Sequence, residues 1–580
     1  MNLKELDPKY HAQQHLLTEL SSMHPKTSDL HALVFKFSPN TVSDFIIYIF
    51  EKRKMSAEKR RCSLTMQLRF DSQFFMSVVF LSFVGLLCFL YTSFVEKPNR
   101  LRSKLMKQGI SGPPSTILLG NILELQKARS ATSKSSSSSQ VPSSHNCAAL
   151  LLPLFDKWRN EYGQVFMFSL GTIQILCVNQ PDIVREVTVC TSLDLGKPVY
   201  QLKQLGPLVG RGILTSNGTK WVHQRKIIAP ELYMEKVKGM MNIISESAAS
   251  VVNLWSNRIE AEGGVADIKI DECMRNFSGN VISRACFGSN YTKSEEIFLR
   301  FVALQELLSW KNMSRFIPGM SYLPTKTNRE ISTLEKEVKE MILQVVKERR
   351  ETTFEKDLLQ IILENVKDSE LSKEAIDDFI VDNCKNIYLA GYETTAVSAT
   401  WCLMLLAANP DWQDRVRAEV TEICRSGIPD FSMLGKMKQL GMVINETLRL
   451  YPPVTAVSRE ALKDMKFGNL DVPKGFNLWI MVVSLHTNPD IWGDDAYKFN
   501  PERFANGTTG CCKLPHVYMP FGVGPRVCLG QNLAIVELKM IIALILSKFT
   551  FSLSPHYVHS PTLRLLIEPQ HGVNILVKKL

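Results

Sequence analysis

Residues Pro520–Gly530 read PFGVGPRVCLG, and the helical run QNLAIVELKMIIALILSKF follows at once. The glycines in this stretch allow a tight turn and let the backbone pass close to a flat, bulky group. Cys528 then stands where backbone N–H groups of the turn and of the helix start can stabilise a thiolate. Any single cysteine can also be an inert buried thiol. The spacing of the residues around Cys528 therefore has to distinguish a thiolate ligand from an inert thiol.

The spacing around the cysteine is F-x-x-G-x-R-x-C-x-G, met at Phe521, Gly524, Arg526, Cys528 and Gly530. Agreement by chance is very improbable, and the pattern resembles the haem-binding signature of the cytochrome P450 family. The resemblance implies a haem b cofactor whose iron takes Cys528 as its axial thiolate ligand, with Phe521 and Gly530 beside the cofactor. A thiolate ligand favours cleavage of the O–O bond, so the implied activity is monooxygenation with O2.

Two more blocks carry the same resemblance. The ETLR segment places Glu446 and Arg449 three residues apart on one helix face, where a carboxylate and a guanidinium can pair. The usual interpretation of that spacing is an exposed ion pair worth well under ~1 kcal/mol. By resemblance, Glu446, Arg449 and Arg503 of the PERF segment instead form a structural lock beneath the haem, and none of them is a catalytic acid.

The segment AGYETT, Ala390–Thr395, lies inside a helical run that extends over about Lys373–Ala408. Glycine costs about 1 kcal/mol relative to alanine inside a helix, and threonine can bond back to an earlier carbonyl and bend the helix. In the family that the chain resembles, this local opening lies over the iron, and an acid–alcohol pair delivers protons to dioxygen. Glu393 and Thr394 match that pair. A solvent-facing polar patch is the alternative.

The two haem propionates that the resemblance implies need cationic partners. The WVHQR segment supplies Trp221 and Arg225, which match the W-x-x-x-R helix of the family. Arg526 of the cysteine loop and Arg459 of AVSREA match two further propionate contacts. Guanidinium groups are bidentate donors suited to carboxylates. Taken singly, each arginine is also compatible with a surface charge, and Trp221 with simple packing.

A charge-free run of 22 residues, FFMSVVFLSFVGLLCFLYTSFV, extends from Phe74 to Val95. About 20 apolar residues in a helix cross a hydrocarbon core of roughly 30 Å, whereas a secretory signal is shorter and ends in a cleavage site. A buried core helix is the other alternative. Basic residues follow this run closely: Lys97, Arg100, Arg102, Lys104 and Lys107. The positive-inside rule then predicts one transmembrane anchor with the remaining chain in the cytosol.

The first 65 residues oppose that orientation, because they carry a basic run of their own, EKRKMSAEKRR, from Glu51 to Arg61. Either this extension is real and weakens the topology, or the working chain begins at a later methionine such as Met66. We favour the later start, because the conflict of charges then vanishes. Residues 1–65 are therefore expected to be disordered or outside the working chain.

The chain after the anchor divides into a linker region and a large domain. Residues 96–149 are predicted as a basic linker with a proline hinge, GISGPP, and a mobile serine-rich loop at Ser130–Ser144. Residues 150–580 are predicted as the haem-binding monooxygenase domain, in which helical periodicity predominates. Strand-like runs are few: Val165–Leu170, Ile173–Val178 and Leu478–Val483. The expected class is mainly α with small β-sheets (α+β), the cytochrome P450 fold preceded by one transmembrane helix.

Charge and cysteine content exclude some classes. The net charge of +11 suits an acidic membrane surface or an acidic partner. Nucleic-acid binding is not expected, because the sequence lacks zinc-finger spacing and a basic helix with interleaved aromatic residues. Thirteen cysteines, an odd number without a C-x-x-C pair, indicate a reducing compartment rather than a disulfide scaffold.

Substrate contacts in this family come from segments matched here by the stretch before Trp221, the surroundings of Ala390, the residues Val454 and Thr455, and LIEPQHG. These linings are chiefly apolar with a few hydroxyls, which favours a hydrophobic substrate with one polar anchor. The segments QGISGPP, YPPV followed by SREA, and PQHG look like the plant clan that oxidises hormones and terpenoids. Within that clan, the chain is most similar to the gibberellin-oxidising subgroup.

Two other classes of function compete, a haem-thiolate isomerase or dehydratase and a non-catalytic membrane haem sensor. Neither needs an acid–alcohol pair, so Glu393 and Thr394 speak against both. The chain has no Gly-rich dinucleotide fingerprint after a strand. Electrons are therefore expected from NADPH through a separate NADPH-cytochrome P450 reductase, docked by charge on the basic face around Cys528. The expected location is the endoplasmic reticulum membrane, with a single pass and a cytosolic catalytic domain.

Overall fold

The computed structural model describes residues 39–135, 144–288, 291–309, 313–351, 357–367, 372–425 and 427–580. The chain divides into two compact units, Met1–Tyr91 and Thr92–Leu580. The expectations for residues 1–38, and for residues 136–143 of the serine-rich stretch, lie outside the described residues.

The first unit is described as one helix, α1 (Pro39–Tyr91). Residues 39–65, expected to be disordered or outside the working chain, are therefore helical in the structure. The physical reason is that neither glycine nor proline stands between Pro39 and Gly85, so nothing breaks the helix there. Large apolar side chains from Phe74 to Leu87 are exposed along it.

One stretch of the described chain, Phe74–Met106, is long and apolar enough to cross a membrane. Its most apolar window has a mean hydropathy of 2.4 and is 0% buried, unlike the core helix of a soluble protein. This stretch includes the predicted anchor at residues 74–95 and confirms it as an apolar helical segment. The helix passes through a π-helical turn, Thr92–Glu96, into α2 (Lys97–Met106).

Helices make up most of the second unit. Those before the long central helix are α3 (Ile122–Ser135), α4 (Cys147–Leu151), α5 (Pro153–Tyr162), α6 (Pro181–Val189), α7 (Val199–Val209), α8 (Gly218–Ile228), α9 (Met234–Gly239), α10 (Met241–Ala261), α11 (Ile270–Phe287), α12 (Tyr291–Leu307), α13 (Lys326–Glu351) and α14 (Leu358–Lys367). The others are α15 (Lys373–Ala408), α16 (Pro410–Cys424), α17 (Phe431–Lys436), α18 (Lys438–Leu450), α19 (Val482–His486), α20 (Pro489–Trp492) and α21 (Gln531–Lys548).

The described strands form four small sheets. They are β1 (Val165–Leu170), β2 (Ile173–Val178), β3 (Leu195–Gly196), β4 (Val265–Lys269), β5 (Ala456–Ala461), β6 (Met465–Phe467), β7 (Leu470–Val472), β8 (Asn477–Met481), β9 (Phe549–Leu553), β10 (Pro561–Leu563), β11 (Ile567–Pro569) and β12 (Asn574–Lys579). The largest sheet has the order β1-β2-β8-β5-β3, with β2 and β8 parallel. The predicted class, mainly α with small sheets, is confirmed.

The long helix α15 passes through the main hydrophobic core, and α11 packs closely along it. A Cβ atom on Gly391 would lie 2.6 Å from Cδ1 of Ile282 on α11. The glycine that looks out of place in a helix therefore permits this close approach of two helices. Ser278 on α11 also donates a hydrogen bond to the backbone carbonyl of Tyr392 at 2.7 Å.

Much of the described linker region packs on the second unit. The amide of Met167 in β1 donates to the carbonyl of Ser111 at 3.0 Å, and Nη2 of Arg102 donates to the carbonyl of Gly112 at 3.1 Å. A Cβ on Gly112 would come within 1.8 Å of the Met167 carbonyl oxygen, so only glycine fits there. The proline-rich segment is thus held against β1 rather than hanging free.

The serine-rich stretch differs from the prediction in its first part. Its residues Ser130–Ser135 form the last turns of α3, although a mobile loop was expected over Ser130–Ser144. Ala131 and Lys134 are good helix formers, which lets α3 continue into the low-complexity segment.

Candidate functional site

The cysteine loop joins a short 3₁₀ turn, Gly524–Arg526, to the start of α21. The amide of Cys528 donates to the carbonyl of Phe521 at 2.9 Å and thereby closes the loop. Gly524 has a φ of +76°, and a Cβ there would lie 2.1 Å from the carbonyl oxygen of Thr188. Glycine is therefore required on two counts, its backbone conformation and its contact with α6.

The thiol of Cys528 is accessible, whereas most described cysteines are buried. The other exposed cysteine of the described residues is Cys88, on the apolar helix. The loop nevertheless surrounds the sulfur, and burial raises the pKa of the Cys528 thiol. The backbone amide of Gly530, the Arg225 guanidinium and the amide of Gln531 act against that rise. These are the groups that favour a thiolate.

Four cationic side chains come together near this loop, although they are far apart in sequence. Burial and the two arginines Arg459 and Arg526 lower the pKa of Lys197 to about 7. Burial, Arg459 and Arg225 lower the pKa of Arg526 to about 10, and burial lowers the pKa of Arg459 to about 10. A group of buried cations that repel one another is a site for an anion.

Trp221 orients two of these arginines. Its ring lies 4.1 Å from the guanidinium carbon of Arg526 and 5.7 Å from that of Arg225. Nη2 of Arg526 also donates to Oδ1 of Asn217 at 3.2 Å, and Nη1 of Arg225 donates to the carbonyl of Val527 at 3.1 Å. Both guanidinium groups thus lie within cation–π distance of the Trp221 ring, which favours their charge.

Sequence reasoning missed Lys197 and Asn217. Oδ1 of Asn217 accepts from the amide of Lys197 at 2.6 Å, and its Nδ2 donates to the Lys197 carbonyl at 2.8 Å. The asparagine therefore fixes both the lysine backbone and Arg526. Neither residue belongs to a recognisable motif, and their contact arises only when the segment after β3 meets the start of α8.

The structure brings together the three residues predicted as a structural lock: Glu446, Arg449 and Arg503. Nε and Nη2 of Arg449 each lie 2.7 Å from a carboxylate oxygen of Glu446, and both side chains are 0% exposed. Nε of Arg503 lies 3.6 Å from Oε1 of Glu446. Arg449 also donates to the carbonyls of His486 and Ala496 at 2.9 Å and 2.6 Å, so it ties α18 to two later segments.

Glu393 and Thr394 are adjacent on α15 but have different partners. Oγ1 of Thr394 donates to the carbonyl of Ala390 at 2.6 Å, and Thr394 is partly exposed. Glu393 is buried, and its Oε1 accepts from Nε and Nη2 of Arg275 at 3.2 Å and 3.1 Å. The same Nη2 of Arg275 donates to Glu568 at 2.7 Å. The carboxylate is thus anchored in an ion cluster with α11, which the sequence did not predict.

A cavity of about 200 Å³ lies between α3, α7 and the strands β1, β5 and β8. Val454 and Thr455, two of the predicted substrate contacts, line it. Its other walls are mostly apolar, with side chains such as Phe155, Phe316 and Leu565. Ala390, the third predicted contact, is not among the lining residues of this cavity and lies instead beside Thr394.

The residues present fit a haem group. A haem held through a thiolate needs an accessible cysteine on a loop with close backbone approach, together with cations for its two carboxylates. Cys528 would supply the thiolate, and Lys197, Arg225, Arg459 and Arg526 would hold the carboxylates. When bound, haem supplies the redox chemistry of dioxygen, and the chain supplies orientation, charge and proton donors.

The fold and this site together define a haem-thiolate protein. A family model described as Cytochrome P450 matches residues 148–575, and the chain belongs to the cytochrome P450 family. It is therefore a cytochrome P450 monooxygenase, an oxidoreductase with a haem-thiolate iron cofactor that uses O2, a substrate and a redox partner.

Several curated plant proteins are similar to the chain over nearly their whole length. Cytochrome P450 714C2 of Oryza sativa subsp. japonica is 50% identical over 507 residues, which cover 85% of this chain and 97% of that protein. Cytochrome P450 714B2 of the same organism is 44% identical over 85% of this chain and 94% of its own length. Cytochrome P450 714A2 of Arabidopsis thaliana is 42% identical over 84% and 95%, respectively. The predicted resemblance to plant cytochromes P450 is confirmed.

Proposed function

We propose that the protein inserts one oxygen atom of O2 into a lipophilic small molecule, a plant hormone or terpenoid such as a gibberellin. The observation that carries this substrate class is the cavity lined by Val454 and Thr455, whose walls are apolar apart from a few polar groups. Cavities of this composition bind compact hydrophobic ligands and orient them through a small number of polar contacts. The choice of a gibberellin rests on the segments QGISGPP, YPPV and PQHG.

In this proposal the named residues have separate tasks. Cys528 would hold the haem iron through its sulfur, and Arg225, Arg459 and Arg526 would hold the propionates, with Trp221 beside Arg225 and Arg526. Thr394 holds and passes protons at Oγ1 on the accessible side of α15, and Glu393 is the acid behind it, fixed by Arg275. Glu446, Arg449 and Arg503 keep the loop beneath the haem in place. They carry no proton in the reaction.

Electrons are proposed to come from NADPH through NADPH-cytochrome P450 reductase on the endoplasmic reticulum membrane. The net charge of +11 supports docking by charge to an acidic partner. The apolar helix at Phe74–Met106 supports a partner that is itself bound to the membrane. Nucleic acid is not a proposed partner.

The alternatives are a haem-thiolate isomerase or dehydratase and a non-catalytic haem sensor. Isotope labelling distinguishes the proposed monooxygenase from both alternatives. The full chain and a plant reductase are reconstituted in microsomes, and a panel of gibberellins and neutral diterpenes is incubated with NADPH under ¹⁸O2. Our proposal expects a product that carries one ¹⁸O atom and depends on NADPH.

An NADPH-independent product without ¹⁸O would identify an isomerase or dehydratase instead. Intact carbon monoxide binding with neither product nor NADPH consumption for any compound would favour the sensor. The Cys528→Ala variant in the same membranes is the negative control for turnover by other proteins.

A further inference from the structure

The cavity that contains Val454 and Thr455 has an unusual charge composition. Among the residues that the structure describes, its lining includes the arginines Arg129 and Arg315 and neither aspartate nor glutamate. The remaining polar groups on its walls are neutral, and the apolar side chains outnumber them. A binding site for a purely apolar substrate does not call for a guanidinium group, because burying guanidinium atoms without a hydrogen-bond partner is costly.

Of the two guanidinium groups, that of Arg315 has the buried nitrogens that hydrogen bonds compensate less. It lies in a short 3₁₀ helix, Met313–Phe316, and its Nε and Nη1 are buried without a hydrogen-bond partner among the described residues. Burial lowers the pKa of Arg315, and no carboxylate of the described residues counteracts this desolvation. A guanidinium that stays charged in such surroundings gains most from an anion brought by a ligand.

Arg129 approaches the cavity from a different element, α3. Its Nη2 donates to the carbonyl of Leu563 at 2.8 Å, which ties the side chain to β10. Burial lowers the pKa of Arg129 as well. The side chain is therefore fixed in position and adds a second positive charge to the same apolar cavity.

We propose that this cavity binds a lipophilic carboxylic acid, with its carboxylate on Arg315 and Arg129 adding to the positive field. The apolar walls take the hydrocarbon body, and the arginine end selects free acids over esters, amides and neutral alcohols. The inference rests on the proposed function and narrows it, because it names the polar anchor of the substrate. It makes Arg315 a residue that determines specificity.

Matched ligand pairs test the anchor directly. The holoenzyme in lipid nanodiscs is titrated with three free acids and their methyl esters: a gibberellin, dehydroabietic acid and dodecanoic acid. Binding is followed by the change in the haem absorption spectrum. A charge-assisted pair that the ester cannot form predicts roughly 10–100-fold tighter binding of the acid for whichever pair fits the cavity.

Variants assign the preference to a residue. Arg315→Gln should weaken binding of the acid to the level of the ester and leave the ester unchanged, so the ester reports on folding within the same protein. Arg315→Lys should retain part of the preference, and Arg129→Gln should reduce it less. In turnover, Arg315→Gln should raise KM for the acid with little change in kcat. Arg329→Gln, an exposed arginine on α13, is the matched control and should behave as wild type.

The outcomes separate this inference from the proposed function. Equal binding of acid and ester by the wild type, with both oxidised, would overturn the carboxylate anchor and leave the monooxygenase intact. An equal loss of acid and ester binding in Arg315→Gln would reduce the arginine to a structural role. If none of the six compounds binds or is oxidised while carbon monoxide binding is intact, both the anchor and the proposed substrate class fail.

Discussion

The position of Cys528 is set by its neighbours before any cofactor binds. Gly524 lets the loop pass α6, the Phe521 carbonyl closes the turn, and the amides of Gly530 and Gln531 oppose the rise in the thiol's pKa. A serine or alanine would leave these backbone contacts in place and remove only the sulfur. A substitution of Cys528 is therefore expected to remove the thiol without unfolding the loop.

We expect Cys528→Ala to lose thiolate ligation of the haem iron, because the other exposed cysteine of the described residues, Cys88, lies within the apolar stretch of α1. The measurement is the difference spectrum of the reduced, carbon monoxide-treated protein. Cys88→Ala is the matched control and should keep the thiolate-type spectrum. Retention of that spectrum by Cys528→Ala would show that another residue is the ligand.

Lys197 offers a second test at the residue scale. Burial first, and then Arg459 and Arg526, lower the pKa of Lys197, so an anion beside Lys197 favours its charged form. Lys197→Met should therefore speed haem transfer to an acceptor such as apomyoglobin by roughly 10–150-fold, the equivalent of one lost charge-assisted hydrogen bond. The exposed Lys220 on α8 gives the control Lys220→Met. Equal rates for both variants would remove Lys197 from the propionate site.

At the scale of elements, the segment of α15 around Gly391 makes two distinct contacts. It packs closely against α11 through Gly391 and through the Ser278 hydrogen bond, and its Thr394 bonds back to the Ala390 carbonyl. A threonine hydroxyl that satisfies a helix carbonyl is already oriented and can exchange that bond for another acceptor.

Thr394→Ala should uncouple NADPH oxidation from product formation, because proton transfer by a positioned group is worth about 10²–10⁴-fold. The yield of product per NADPH consumed should therefore fall at least ~10-fold, while NADPH oxidation continues. Thr400, on the same helix, donates to the Ala396 carbonyl in the same way but is buried, so Thr400→Ala controls for the altered helix. An unchanged yield in Thr394→Ala would assign the protons to another path.

The lock below the loop links α18 to the PERF turn. Glu446→Ala should give little or no stable holoprotein, because an uncompensated buried guanidinium costs typically about 3–5 kcal/mol. Glu502, in the same turn, pairs with Arg415 at 2.7 Å but is half exposed, so Glu502→Ala should cost less than about 1 kcal/mol. Haem content and thermal unfolding midpoint are measured together. A folded, haem-loaded Glu446→Ala that loses only turnover would make the glutamate a catalytic group.

The sequence predicted local features well and distant contacts poorly. Helix α15 and the strands β1 and β2 have the predicted bounds, because their periodicity and composition are continuous. Glu393 was predicted as an acid, but its partner Arg275 lies 118 positions earlier on α11. Lys197 and Arg315 carry no motif at all. Their roles depend on which segments meet in space, and a single sequence does not encode that as a local pattern.

At the scale of the whole molecule, charge is distributed unevenly around the apolar helix. Basic residues follow it on α2, and a second basic run precedes it on α1. The two sets compete for the cytosolic side. Most of the chain, including the site, follows α2, so the orientation decides whether a cytosolic reductase domain can reach Cys528.

We expect the second unit to face the cytosol. In sealed microsomes, added protease should digest residues after the anchor, and a luminal marker protein should stay intact. Changing Lys97, Arg100, Lys104 and Lys107 to glutamate should shift part of the population to a protected form, because the basic run on α1 is then unopposed. Arg102 is left unchanged, since it holds the proline-rich segment through the Gly112 carbonyl. A chain that starts at Met66 lacks the competing run and should be digested more completely than the full chain. Protection and glycosylation of the unaltered protein would reverse the topology and exclude a cytosolic reductase as its electron donor.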